Sequence, residues 1–220
     1  MGDRVTLTAS DGHKFKAWRS APDGKPRGGL LVIQEIYGVN AHIRSVTDRF
    51  ANLGYLSISP ALFDRKERDF AVDPSPETNE RGRALNQSLD DKETLLDLEA
   101  ARQAVASAGK VGIVGYCFGG LVSYLAACRG KFDAASAYYG RVGKYKSETP
   151  RCPVIVHFGD KDHLISAADV EEFRKAQPKL PVYVYDAPHG FNRDGHPAYV
   201  KAAADLAQER TLKLFAEHIG

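Results

Sequence analysis

A cysteine stands between two glycines where an apolar segment ends, in the stretch VGIVGYCFGG that covers residues 111–120. The G-x-C-x-G spacing around Cys117 matches the G-x-S-x-G turn that exposes a nucleophilic serine between a strand and a helix. A helix that begins at Phe118 would direct its free N–H groups at the sulfur and favour negative charge there. The turn therefore predicts a thiolate nucleophile, and the alternative is a small apolar cysteine packed at a strand end.

A carboxylate and a histidine follow Cys117 along the chain, each after a further apolar segment. Asp162 lies third after the glycine in the stretch HFGDKDH, and we expect the nearby Asp160 to cap the turn instead. His189 follows the last predicted strand, in the stretch YDAPHGF. The order nucleophile, acid, histidine, with gaps of 45 and 27 residues, is that of triads whose members each follow a separate strand. These residues predict nucleophilic catalysis in which Asp162 orients His189 and His189 transfers protons.

These residues must be positioned by the strands and helices that the rest of the sequence predicts. Alternating residues predict a hairpin from residues 5–9 and 14–18. Apolar runs predict six further strands, at residues 29–34, 55–59, 111–116, 134–139, 154–158 and 182–185. Helical spacing predicts helices at residues 41–53, 77–108 with a break near 90–91, 118–128, 166–175 and 197–218.

The alternation of strands and helices predicts an α/β fold, with a mostly parallel central sheet and helices on both of its faces. No linker divides the chain, so we expect a single domain over residues 1–220. Residues 63–76 are polar and include two prolines, and we expect this segment to be an exposed excursion from the domain.

Composition argues against several classes of protein. A formal net charge of +2 in 220 residues offers no broad basic face for nucleic acid or an anionic membrane. Three cysteines, at positions 117, 128 and 152, cannot all pair within the chain, and their spacing matches no zinc pattern. The polar N-terminal segment has no apolar core of a signal peptide. We therefore expect a cytoplasmic monomer that uses neither a metal nor another cofactor.

Five stretches of the chain together resemble one family. They are QEIYGVN at residues 34–40, GYCFGG at 115–120, YYG at 138–140, GDKDH at 159–163 and PHGFNR at 188–193. This set closely resembles the dienelactone hydrolases (carboxymethylenebutenolidases), and the likeness is looser over residues 62–95. The resemblance implies an α/β-hydrolase fold and a hydrolase that opens a small, carboxylated, conjugated lactone through a Cys-His-Asp triad and a thioester.

The resemblance also implies roles for residues near Cys117. Glu35 is expected beside the nucleophile, where its carboxylate would oppose a second negative charge and keep the resting sulfur as a thiol. When substrate binds, Glu35 would take the thiol proton; the alternative is a structural carboxylate bonded to a loop. The backbone N–H groups of Ile36 and Phe118 would form the oxyanion hole.

The same resemblance implies an anionic substrate held by arginines. Arg193, in the stretch HGFNR, and Arg81, in ETNERGRAL, are expected to bind the substrate carboxylate, with Arg83 as the competitor of Arg81. Tyr37, in QEIYGVN, is a further expected substrate contact. The expected partner is therefore a small anionic lactone or ester.

Other functions stay open from the sequence. The same triad would serve a broader carboxylesterase or thioesterase, because one fold hosts many substrates. A non-catalytic, thiol-sensing relative is a further alternative. The histidines and aspartates of residues 157–163, together with His189, could also be read as a metal cluster, although their spacing fits no carboxylate–histidine motif.

Overall fold

The computed structural model describes residues 2–220 and contains a single eight-stranded sheet. The strands are β1 Asp3–Thr8, β2 Lys14–Ser20, β3 Gly28–Ile33, β4 Tyr55–Pro60, β5 Val111–Tyr116, β6 Ala134–Tyr138, β7 Val154–Gly159 and β8 Val182–Tyr185. They lie in the order β1-β2-β4-β3-β5-β6-β7-β8, and β2 is antiparallel to both of its neighbours, whereas all other pairs are parallel. The predicted mostly parallel sheet is confirmed.

Six helices cover the sheet. They are α1 Ala41–Asn52, α2 Pro76–Ser88, α3 Asp91–Val105, α4 Phe118–Arg129, α5 Ala167–Ala176 and α6 Lys201–His218. The predicted break in the long helical segment is confirmed, because the Asp90 carboxylate accepts the N–H groups of Lys92 and Glu93 and starts a new helix. The last helix begins later than expected, since Val200 is extended and its N–H donates to the Phe191 carbonyl.

Two apolar layers form the core, one on each face of the sheet. Strands β3, β5, β6 and β7 are buried along their whole length. Side chains of β3 alternate between the layers, so that Leu31 and Ile33 pack on the side of α3, α4 and α5. Leu30 and Val32 pack on the opposite side, with α1 and α6. The helices thus cover both faces, as the sequence predicts.

The expectation of an exposed excursion over residues 63–76 is only partly correct, because six of these residues are exposed but the segment also carries buried side chains. Leu62–Arg65 forms a turn of 3-10 helix, and the side chains of Phe63 and Phe70 are buried. The Phe63 ring stacks on Phe118, the residue after the cysteine, with ring centroids 5.5 Å apart. Arg65 makes two hydrogen bonds of 2.8 Å to the buried Asp97 carboxylate of α3. Other polar residues of the segment bond to the N-terminal hairpin, where Asp64 accepts the Lys16 N–H and Arg68 donates to the Lys14 carbonyl. The segment therefore lies along the domain, with its aromatic side chains in the core.

Within residues 2–220, no helix is both long and apolar enough to cross a membrane.

We expect the buried Arg65–Asp97 pair to be costly to break. Asp97→Asn should lower the free energy of unfolding by about 3 kcal/mol, because it leaves the buried guanidinium with Asp11 as its one remaining carboxylate partner. The control is Asp205→Asn, which breaks the exposed Lys201–Asp205 pair of α6 and should change stability by less than about 0.5 kcal/mol. Urea denaturation measures both variants, and equal effects would contradict the expectation.

Candidate active site

Cys117 occupies the turn between β5 and α4 in a strained backbone conformation. Its φ of 54° and ψ of −113° lie outside the regions that ordinary residues favour. The Cys117 N–H donates to the Tyr138 carbonyl at 3.0 Å, which ties the turn to the neighbouring strand β6. A side chain at Gly115 would collide with the Gly119 carbonyl, so the turn needs glycine there. The thiol is partly exposed, as a nucleophile requires.

The structure brings Asp162, rather than Asp160, to His189. The His189 Nδ1 and an Asp162 carboxylate oxygen are 2.7 Å apart, and the Asp162 side chain is buried. The other Asp162 oxygen accepts the N–H groups of Leu164 at 2.7 Å and Ile165 at 3.1 Å. Asp160 instead accepts the Ala187 N–H at 3.1 Å and closes the turn. The loop after β7 thus holds the carboxylate that orients the ring.

The surroundings of His189 favour its protonated form. Burial alone would lower the pKa of the ring, but the hydrogen bond with Asp162 and the nearby Cys117 sulfur outweigh it and raise the pKa to about 10. The Nε2 atom is buried and has no partner of standard hydrogen-bond geometry among residues 2–220. Cys117 and His189 line the same cavity.

Glu35 follows strand β3 and faces an arginine. Its carboxylate is buried and lies 3.7 Å from the Arg193 guanidinium. Burial raises the pKa of Glu35, and the positive charges of Arg193 and His189 act in the opposite direction. Among residues 2–220 the carboxylate makes no hydrogen bond to Cys117, so its resting partner is the guanidinium rather than the sulfur.

Arg193 and Tyr37 form one packed unit behind this carboxylate. The Arg193 guanidinium lies over the Tyr37 ring, 4.8 Å from its centroid, and the arginine side chain is only 9% exposed. The Tyr37 hydroxyl donates to the Asn79 side chain of α2 at 2.5 Å. Both expected substrate contacts are therefore near Glu35, but their polar groups are already engaged within the protein.

The two expected oxyanion-hole donors lie at adjacent strand ends. Among residues 2–220 neither the Ile36 N–H nor the Phe118 N–H donates to a protein acceptor. Helix α2 lies close to Ile36, because Gly82 packs directly on the Ile36 carbonyl. Any side chain at position 82 would collide with that carbonyl. The free N–H at Phe118 is that of the first residue of α4, where no intrahelical acceptor exists.

A cavity of about 200 Å³ opens at the cysteine. It is lined by Ile36, Arg83, Asn86, Gln87, Cys117, Phe118, Leu121, Tyr139, Arg141, Leu164 and His189. Arg81 does not line it: the side chain is 62% exposed and is paired with Glu67. Between the two arginines that the sequence left open, the structure places Arg83 at the cavity.

Tyr139 and Arg141 line the cavity and were not anticipated as site residues. Tyr139 is buried, has a positive φ of 37°, and its ring centroid lies 5.1 Å from that of His189. Its hydroxyl has no partner among residues 2–220, and burial raises the pKa of the phenol well above its usual value. The stretch YGR at residues 139–141 directly follows a buried strand, and this position is the signal that could have identified both residues.

No group of three or more His, Cys, Asp or Glu side chains in the described part of the chain is arranged to hold a metal ion. Both ring nitrogens of His157 are within hydrogen-bond distance of hydroxyls, Tyr185 at 2.8 Å and Thr211 at 3.2 Å.

We expect His189 to stay protonated well into the alkaline range. Its pKa is 6.5 without the fold and about 10 within it. The protonated ring therefore stabilises the fold fully below about pH 6.5, and this stabilisation is lost as the pH rises through about 10. NMR titration of the ring nitrogens measures this pKa, which Asp162→Asn should lower.

The same spectra contain an internal control for the titration. His157 is fully buried, and burial together with the Arg210 charge lowers its pKa to about 3, so its ring should stay neutral throughout. Titration of His189 near its ordinary value of 6.5 would contradict the expected stabilisation by Asp162 and Cys117.

Solved structures agree with the fold. A crystal structure of a protein from Klebsiella pneumoniae is 27% identical, covers 98% of this chain and 99% of its own, and has a TM-score of 0.84. An esterase of Pyrococcus furiosus, 17% identical, covers 100% of this chain and 94% of its own with a TM-score of 0.72. At that identity the esterase supports the α/β-hydrolase fold alone.

Sequence comparison identifies the family. The profile of the dienelactone hydrolase family matches residues 15–219. Carboxymethylenebutenolidases of Pseudomonas putida and Pseudomonas knackmussii are each 37% identical over 229 residues, which cover 98% of this chain and 97% of the relative. The chain therefore belongs to the dienelactone hydrolase family, and it is a hydrolase that acts on ester or lactone bonds.

Proposed function

We propose that this protein opens a small, conjugated, carboxylated lactone of the dienelactone type, with Cys117, His189 and Asp162 as its catalytic triad. The observation that carries the proposal is the 2.7 Å contact between His189 and Asp162 beside a cysteine on a strained turn. A cysteine and a histidine that line one cavity, with a carboxylate bonded to the histidine, support this proposal, because acyl transfer requires a nucleophile, a proton carrier and an orienting group.

The first half of the cycle forms a thioester. The Cys117 thiolate attacks the lactone carbonyl, and the N–H groups of Ile36 and Phe118 stabilise the oxyanion that develops. The ring C–O bond then breaks, the carbonyl re-forms, and protonated His189 gives its proton to the departing enolate oxygen. An enolate is a good leaving group, so a conjugated lactone suits this nucleophile better than an ordinary alkyl ester.

The second half returns the enzyme to its resting state. Neutral His189 takes a proton from water, and the resulting hydroxide attacks the thioester carbonyl at the same oxyanion hole. The C–S bond breaks, the acid is released, and the Cys117 sulfur recovers its proton. Asp162 holds the protonated ring in the orientation that both halves need.

Glu35 supplies the step that prepares the nucleophile. At rest its carboxylate is paired with Arg193 at 3.7 Å. A substrate carboxylate that binds Arg193 competes with Glu35 for the guanidinium, and the released Glu35 takes the thiol proton of Cys117. Burial raises the pKa of Glu35 and so makes it a better proton acceptor than an exposed carboxylate. Binding of an anionic substrate thus increases the fraction of thiolate beside protonated His189, and Glu35 returns the proton at the end of the cycle.

We expect turnover to depend on Cys117 and not on the other thiols. Cys117→Ala should lower kcat/KM for a dienelactone at least about 10³-fold, because the covalent path is lost. The matched control is Cys152→Ala, which removes a partly buried thiol that does not line the cavity and should leave kcat/KM within about twofold. Ultraviolet loss of the dienelactone measures both variants, with p-nitrophenyl acetate as a neutral ester.

The two substrates also separate the named function from its alternatives. Cys117-dependent turnover of the neutral ester alone would overturn the lactone assignment and leave a broader esterase. Absence of Cys117-dependent turnover with either substrate would overturn the catalytic proposal.

We expect Arg193 to matter more for anionic than for neutral substrates. Arg193→Gln should raise KM for a carboxylated lactone at least about 10-fold, and KM for p-nitrophenyl acetate should change far less. Arg193→Lys keeps the charge but loses the planar contact with Tyr37, so its KM should fall between those of the wild type and Arg193→Gln. Steady-state kinetics measures KM, and equal changes for both substrates would rule out an anion contact at Arg193.

A further inference from the structure

Two arginines differ from all the others in the described chain. Arg83 and Arg141 are the only arginines of residues 2–220 whose guanidinium has no carboxylate, carbonyl, hydroxyl or aromatic partner. Both are exposed, and both line the cavity at Cys117. Each of the other arginines has such a partner, so these two guanidinium groups at one cavity are the ones free to bind an external anion.

Helix geometry directs Arg83 to the cavity and Arg81 away from it. Arg83, Asn86 and Gln87 of α2 are spaced by three and four residues, so they lie on one face of the helix, and all three line the cavity. Gly82, beside Arg83, packs on the Ile36 carbonyl and holds this part of the helix against the catalytic loop. Arg81 is turned toward Glu67. The position of Arg83 on this face of α2 therefore places one positive charge at the cavity.

Arg141 supplies the second cation from the loop after β6. It follows strand β6, two residues after Tyr139, and lines the catalytic cavity together with an adjoining cavity of about 140 Å³. Leu164 borders both spaces. Asp169 lines the adjoining cavity, where its carboxylate accepts hydrogen bonds from the Ser166 N–H and hydroxyl. These hydrogen bonds and, more weakly, the Arg141 charge lower the pKa of Asp169, but the two side chains are too far apart to form an ion pair.

The cavity therefore has a net positive lining, because only one of its three basic groups, His189, has an ion-pair partner, Asp162. Its lining contains Arg83, Arg141 and His189 but neither aspartate nor glutamate. Arg193, by contrast, is buried and its charge is balanced by Glu35. Cations that lack a protein partner in a partly enclosed cleft attract anions most strongly, because the low-dielectric walls focus the field.

We propose that Arg83 and Arg141 form an outer anion-binding subsite, which holds a negatively charged group of the substrate at the mouth of the cavity. This subsite is separate from Arg193, and its role in substrate choice rests on the proposed function. The substrate class is then an ester or lactone with a carboxylate that extends away from the reacting carbonyl. A substrate with two carboxylates can occupy the outer subsite and Arg193 together.

The first test does not depend on turnover. Iodoacetate and iodoacetamide are similar in size but differ in charge, so the ratio of their rates of Cys117 alkylation reports the local field. The double variant Arg83→Gln/Arg141→Gln should lower this ratio about 10-fold. The matched control Arg81→Gln removes a neighbouring exposed charge from the other face of α2 and should leave the ratio within about twofold. Mass spectrometry identifies the alkylated cysteine, and circular dichroism checks the fold.

The second test asks whether the subsite selects substrates. Mono-p-nitrophenyl glutarate carries a carboxylate remote from its ester, and p-nitrophenyl butyrate is a neutral analogue of similar length. The double variant should lose at least about 10-fold in kcat/KM for the glutarate and less than about twofold for the butyrate.

The outcomes separate the two proposals. An unchanged alkylation ratio, or an equal fall in Arg81→Gln, would overturn the outer subsite even if ester turnover is intact. Equal losses for the glutarate and the butyrate would also overturn it. A fall in the ratio with no Cys117-dependent turnover of either ester would support the anion subsite and overturn the proposed catalytic function.

Discussion

The backbone of Cys117, held at a φ of 54°, is the constraint on which the rest of the site depends. Such a conformation costs about 1–3 kcal/mol and persists only where the surrounding structure offsets that cost. Here the offset comes from the hydrogen bond to the Tyr138 carbonyl and from the close approach that Gly115 permits. The stacking of Phe118 on Phe63 adds packing from the segment after β4. Cys117 thus keeps this conformation, with its side chain partly exposed, because the residues around the turn are closely packed.

The parallel strands carry the remaining groups to the same edge. Backbone hydrogen bonds link successive strand ends, from Tyr139 to the His157 carbonyl and from Asp160 to the Tyr185 carbonyl. Residues that are far apart in the chain therefore converge, because parallel strands all end at one side of the sheet. Asp162 and His189 are 27 residues apart in sequence and 2.7 Å apart in space for this reason.

Charge around the cavity is divided between two environments. Glu35 and Arg193 are both buried, and their opposite charges balance each other. While this ion pair remains formed, it adds little to the electrostatic field at the cavity. Arg83 and Arg141 are exposed and uncompensated, so their field reaches an approaching anion and weakens with added salt. The inner pair suits a switch that responds to bound substrate, and the outer pair suits attraction and selection.

By itself the sequence determined the order of strands and helices, the turn at Cys117, and the chain order of Asp162 and His189. These features follow from local patterns: apolar runs, glycine spacing, and polar residues directly after strands. Only the tertiary structure decided which charges pair. It turned Arg81 toward Glu67, brought Arg83 and Arg141 to the cavity, and placed Glu35 against Arg193. It also packed the segment after β4 against the core, because Phe63 and Phe70 are buried and Arg65 bonds to Asp97, 32 residues away in the chain. Ion pairs depend on distances between elements that no local pattern encodes, so the positions of these charges could not be predicted from the residue types alone.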